Sequence, residues 1–173
     1  MKTLNNKILL RKPDLNDQEE LFVLKNDEES NSLLGGFTAG YNKESIKEWI
    51  IFHNNKSSEV LYVIQDIESG KLIGHVGLYN IDHRVRKAEF AILIADKNYR
   101  GKGYGDLCTK YMVSYGFNQL NLNRIELSLL SGNTKALTLY QKNGFEHEGI
   151  QKQAQYKNGC YHDVILMAKL REK

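Results

Sequence analysis

Residues 88 to 105 read Ala88-Glu89-Phe90-Ala91-Ile92-Leu93-Ile94-Ala95-Asp96-Lys97-Asn98-Tyr99-Arg100-Gly101-Lys102-Gly103-Tyr104-Gly105. The first eight are apolar except Glu89, which suits a short strand covered on both faces. Glycines follow at 101, 103 and 105, and beyond them Cys108, Tyr111, Met112 and Tyr115 recur at the spacing of one helical face. The stretch is therefore a strand, a glycine turn and the N-terminus of a helix. The first turn of a helix carries N–H groups without intrahelical partners and the positive end of the dipole, so glycines there let a phosphate approach bare backbone. Arg100 and Lys102 add charge. An ordinary strand-to-helix turn has the same pattern at this level. Two other phosphate loops are excluded by spacing: the dinucleotide fingerprint needs glycine where Asp106 stands, and G-x-x-x-x-G-K-[ST] does not occur.

Outward from this stretch, Ile8-Leu9-Leu10 reads as a strand ended by Pro13, the only proline. A helix is expected from Asn16-Asp17, either of which can cap, with Leu21, Phe22 and Leu24 facing the core. Residues 31–42 show no period and read as a glycine-containing loop holding Phe37 and Tyr41, either packed on the core or lining a site. Helical spacing returns over residues 43–55. Residues 59–66 and 71–82 read as a hairpin, and the strand over 122–130 should return parallel to the 88–95 strand after the helix. Asn133 is positioned to cap a helix ending at Gly144. Two last strands, 145–155 and 160–169, flank Asn158-Gly159, a strong hairpin turn. The expected order is β-α-α-β-β-β-α-β-α-β-β, an α/β (α+β) fold with a mixed central sheet of about seven strands and flanking helices.

At 173 residues, with 41% hydrophobic and 26% charged residues, the chain is expected to be one domain, residues 1–173, with a core of its own. The formal charge of +3 is modest and its lysines and arginines are scattered, so nucleic acid is not the expected partner. Cys108 and Cys160 form no CxxC and read as reduced thiols. Residues 1–12 lack the apolar core of a signal peptide, and no apolar run reaches the ~18 residues that span a bilayer. A soluble, cytoplasmic protein is expected, without membrane attachment. No HExxH spacing occurs among the histidines, and no metal site is expected.

Arg100-Gly101-Lys102-Gly103-Tyr104-Gly105 resembles the Q/R-x-x-G-x-G/A signature of the GCN5-related N-acetyltransferases, following a strand as that signature does. Residues 133–145, Asn-Thr-Lys-Ala-Leu-Thr-Leu-Tyr-Gln-Lys-Asn-Gly-Phe, resemble that family's N-x-x-A-x-x-L-Y-x-K-x-G-F segment. The element order is the one this family has. The tail, Glu148-Gly149 and Tyr156 to Asp163, looks like the branch holding ribosomal-protein and spermidine acetyltransferases. The resemblance implies acetyl-CoA as cosubstrate, its pyrophosphate held by the amides of residues 100–105. It also implies pantetheine pairing along the strand near Ile92, Leu93 and Ile94, and further contacts from Asn133 and Lys142. Asn133 has a polar atom to spare beyond its cap.

Acetyl transfer from a thioester to an amine needs a neutral amine, a stabilised oxyanion and a proton for the departing thiolate. Glu89 is the candidate base, since burial in an apolar strand would raise its pKa toward neutrality; a structural pairing with Arg86 or Lys87 is the alternative. Tyr140 is the candidate acid: periodicity alone makes it a core aromatic, and its place in L-Y-x-K implies proton donation to the sulfur. The oxyanion donor should be a backbone N–H near Ile92 to Ile94. Acceptor choice is expected to rest with the two N-terminal helices and the Gly35-Gly36 loop. The acceptor is a small-molecule or peptide amine: a polyamine, a protein N-terminal amine, an amino sugar or an aminoglycoside. Residues 30–43 contain no acid, which departs from a spermidine site. An acetyl-CoA-binding sensor without turnover is the alternative from another class. The family and the final hairpin also suit a homodimer.

Overall fold

The computed structural model describes residues 1–35 and 40–172. Eight strands form one sheet in the order β1-β2-β3-β4-β5-β6-β8-β7. They are β1 (Lys2–Leu4), β2 (Ile8–Arg11), β3 (Val60–Asp66), β4 (Leu72–Asp82), β5 (Lys87–Ile94), β6 (Arg124–Leu130), β7 (Glu146–Lys157) and β8 (Cys160–Leu170). The helices are α1 (Gln18–Lys25), α2 (Glu28–Leu33), α3 (Lys43–Asn55), α4 (Tyr104–Asn118) and α5 (Thr134–Lys142). All neighbouring strands are antiparallel except β5 and β6, which are parallel, as the intervening helix requires.

Alternation along the strands sends neighbouring side chains to opposite layers. Val63 and Leu72 join Leu21, Leu24, Ile46 and Ile50 of α1 and α3 on one face. Ile64 and Ile73, next to them in sequence, join Cys108, Met112 and Phe117 of α4 on the other. The hairpin at Asn158-Gly159 forms, with both residues at positive φ (51° and 81°).

Four sequence expectations change. The sheet has eight strands instead of about seven, because Asn5 and Asn6, both at positive φ, fold residues 2–4 back on β2. Asp14, through its bond from Asn16 N–H, caps a short 3-10 turn that leads into α1; Asn16 and Asp17 do not cap. Within the expected loop 31–42, α2 already occupies residues up to Leu33; it is capped by Asp27 and buries only Ser30, so it carries no apolar period. The 88–95 strand is also not covered on both faces, since Glu89 and Ala91 are exposed.

Candidate active site

The sheet opens beside β5. Its pairing with β6 stops at Glu89–Glu126, while β6 continues against β8 along its whole length. The Ala95 N–H meets Ile73 O at 2.9 Å, so Ala95, Leu93 and Ala91 turn their main-chain groups toward β4. Successive residues alternate, and Ile92 and Ile94 therefore turn theirs to the open side. Between the diverging strands lies a cleft of about 670 Å³ walled by Glu89, Ile92, Glu126, Tyr140, Glu148 and Gln151.

At the end of β5 the glycine turn leads into α4. Gly101 and Gly103 have φ of 76° and 83°, a region only glycine enters freely, and a Cβ at either would meet nothing within 4 Å. Among the described residues the amides of Gly101, Lys102 and Gly103 have no partner, and Tyr104 and Gly105 stand in the first helical turn. The result is a row of free donors at the positive end of a 15-residue helix, which fits a pyrophosphate. A Cβ on Gly105 would touch Leu139 at 3.4 Å, so that glycine lets α5 pack close.

The side chains around this loop are largely engaged with the fold. Arg100 donates to Ile94 O (2.9 Å), Ala95 O (2.9 Å) and Ser30 Oγ (2.7 Å), and pairs with Glu29 at 2.5 Å. It ties α2 to the end of β5. Lys102 lies over the Tyr99 ring at 5.2 Å. Asn133 caps α5 through Ala136 N and spends its other polar atom on Leu33 O at 3.1 Å. Lys142 pairs with Asp106 of α4 at 3.1 Å. Burial opposes ionisation of Asp106, yet bonds from Lys110, Asn143 and Lys142 outweigh it and bring its pKa down to about 2. Removing the guanidinium latch in Arg100→Met should cost about 2 kcal/mol, given about 1.5–3 kcal/mol for hydrogen bonds to charged groups. The accompanying result is faster amide hydrogen exchange at residues 28–33; unchanged exchange there would show that α2 is held by other contacts.

Tyr140 is 7% exposed, and its ring sits between Phe90 and Phe145 with centroids 6.1 and 5.8 Å away. Burial pushes its phenol up to about 12, so it keeps its proton across the physiological range. Glu89 shares the cleft but is exposed; the burial expected from its apolar neighbours is absent because β6 diverges at this point. Nor is Glu89 paired with Arg86 or Lys87. Arg86 bonds Asn121, and Lys87 bonds Glu126 at 2.8 Å.

Sequence reasoning missed the charge cluster opposite β5. Arg124 binds Glu126 and Glu148, each at 2.7 Å. Burial works against Glu126, but hydrogen bonds from Lys87 and Arg124 hold it below the usual carboxylate range. The alternating Arg124-Ile125-Glu126 pattern was the available signal. Also missed were His75 and Tyr79, which wall the cleft from β4. Tyr41 faces Lys25, whereas Phe37 and Gly36 lie outside the described residues. Among the described residues no group of three or more His, Cys, Asp or Glu is placed to hold a metal, and no helix is long and apolar enough to cross a membrane.

A family model described as "Acetyltransferase (GNAT) domain" matches residues 7–146. The spermidine N(1)-acetyltransferase of Vibrio cholerae is 32% identical over 171 residues, covering 98% of this chain and 96% of its own. A putative ribosomal N-acetyltransferase of Bacillus subtilis is 29% identical over 150 residues, covering 76% of this chain and 81% of its own. The crystal structure of the Vibrio cholerae spermidine N-acetyltransferase in complex with CoA and spermine superposes with a TM-score of 0.87 at 31% identity, covering 96% of each chain. With a sheet that opens beside β5 and a row of free amides at the start of α4, the chain belongs to the GNAT acetyltransferases, enzymes that move the acetyl group of acetyl-CoA to an amine.

Proposed function

We propose that the chain is a cytoplasmic N-acetyltransferase of one domain that transfers acetyl directly from acetyl-CoA to a primary amine, with Tyr140 as acid and Glu89 as base. The observation that carries the reading is the open edge of β5, which runs past Ile92 into the unpartnered amides of residues 101–103. Those amides and the first turn of α4 would hold the pyrophosphate, and the Ile92 edge would pair with the pantetheine arm. A backbone N–H there supplies the oxyanion donor. Glu89, being exposed, takes the amine's proton through water, and the Tyr140 hydroxyl gives one to the departing sulfur. The edge strand β7 leaves most of its side chains exposed and offers a second copy a place to pair in a homodimer.

The acceptor is a small molecule or a peptide amine. Relatives named as spermidine acetyltransferases support a polyamine. The cleft supports it less: Glu126 and Glu148 are matched by Lys87 and Arg124, which leaves Glu89 as the unpaired carboxylate for a multiply charged substrate.

The test is acetyl-CoA-dependent release of thiol with spermidine, amino sugars, aminoglycosides, amino acids and short peptides. Turnover with one class is expected, and Glu89→Gln should lower kcat/KM by about 10²-fold, the low end for a general base because water still reaches the amine. Tight acetyl-CoA binding with no thiol release for any amine would replace this reading with a sensor.

A further inference from the structure

On the wall of the cleft formed by His75, two polar groups are left unmatched beside one indole. Lys25, the last residue of α1, is 8% exposed. Its ammonium lies 4.3 Å from the centre of the Trp49 ring and 4.7 Å from that of Tyr41. Among the described residues it has no hydrogen bond or ion pair, and residues 36–39, Gly-Phe-Thr-Ala, bring no ionisable side chain that could supply one. Aromatic faces give a cation about 0.5–2 kcal/mol, short of the several kcal/mol needed to bury an ion. The second group is His75 Nδ1, which is buried without a partner, on a ring 5.6 Å from the same Trp49. A buried polar atom without a partner is rare enough in folded proteins to require an explanation.

The surrounding charges do not resolve the imbalance. Glu59 is already bound by His53 Nδ1 and by Lys56, each at 2.5 Å. Glu20 accepts the Leu72 N–H at 2.7 Å. Burial brings Lys25 down to about 8, which leaves it mostly charged at neutral pH. Burial, followed by the charges of Lys25 and His53, brings His75 down to about 3, so its imidazole is neutral and one ring nitrogen carries a proton. The wall therefore holds an unpaired positive charge and an idle ring nitrogen, without a free anion.

We propose that Lys25, Trp49 and His75 form a subsite for a carboxylate on the acceptor, so that the amine acetylated belongs to an amino acid or a similar amino carboxylate. This rests on the acetyl-transfer reading of the cleft. A carboxylate lodged there takes the Lys25 charge on one oxygen and a proton from His75 Nδ1 on the other, in the tautomer that places hydrogen on that nitrogen. The rings of Trp49 and Tyr79 then offer apolar surface to the rest of the molecule. A polyamine would instead bring positive charge against Lys25.

Calorimetry on the CoA-loaded protein tests the subsite without turnover, using N-acetylphenylalanine and its amide, N-acetylphenylalaninamide. The acid should bind wild type about tenfold more tightly than the amide, and Lys25→Met should abolish that preference while holding or raising the melting temperature, because an unpaired buried charge is removed. Equal binding of acid and amide, binding of neither at millimolar concentration, or an undiminished preference in Lys25→Met overturns the subsite. Thiol release with phenylalanine is the separate arm: a carboxylate preference in binding without release by any amine would sink the transferase reading and leave the subsite standing.

Discussion

Tyr140→Phe is expected to lower kcat by about 10³-fold while changing acetyl-CoA affinity and melting temperature little. The substitution removes one oxygen. The ring keeps its packing on Phe90 and Phe145, and no hydrogen bond holds the hydroxyl among the described residues, so the fold loses almost nothing. The reaction loses a positioned proton at the moment the thiolate departs. Burial has pushed the phenol to about 12, and a raised pKa keeps the acid form present well above neutrality. The wild-type rate should accordingly show no alkaline decline near pH 10, where an ordinary phenol ionises. Single-turnover kinetics with saturating acetyl-CoA separate this step from binding. A Tyr140→Phe enzyme within threefold of wild type would mean that the thiolate leaves unprotonated or takes its proton from water.

The parts of this machine that local sequence determines were legible. β5, the glycine turn and α4 announce themselves because the apolar period changes from a continuous run to a helical stripe across glycines at positive φ. Tyr140 emerges as an acid only through the L-Y-x-K resemblance, since its burial and aromatic neighbours are those of any core tyrosine. What stayed hidden depends on distant parts of the chain meeting. The exposure of Glu89 follows from β6 leaving β5 one pair after Glu126, a divergence encoded in the pairing of β6 with β8 some 40 residues further on, about the length of a supersecondary unit. α2 was hidden for another reason: Arg100, Asn133 and Lys157 hold it by polar contacts to Glu29, Ser30, Asn31, Leu33 and Leu34, which leave no hydrophobic period to read. Lys25, Trp49 and His75 come from three elements and gain meaning only when brought together.

Gly74→Ala should be the most destructive small change to the scaffold that holds this site, at about 3 kcal/mol or more. Gly74 pairs with Ile94 where β5 runs toward the glycine turn. A Cβ there would fall 1.9 Å from Leu93 O, 2.9 Å from the Leu93 carbonyl carbon and 3.1 Å from Ile94 Cα. All three are backbone atoms, so no side-chain rotation relieves the clash and β5 must retreat by more than an ångström. Overpacking commonly costs about 1–3 kcal/mol, and more where the main chain has to move. For a domain of this size each kcal/mol is about 2–4 °C, so the melting temperature should fall by about 6–12 °C. The same retreat displaces the Ile92 amide and the carbonyls of Ile94 and Ala95 that anchor Arg100, so acetyl-CoA affinity should fall with stability. Gly149→Ala is the control: its Cβ meets nothing within 4 Å and its φ is not positive, so its effect should stay within about 0.5 kcal/mol. If Gly74→Ala melted within 2 °C of wild type, β5 would have slack against β4. The positions assigned to the oxyanion donor and the glycine loop would then need another source of rigidity.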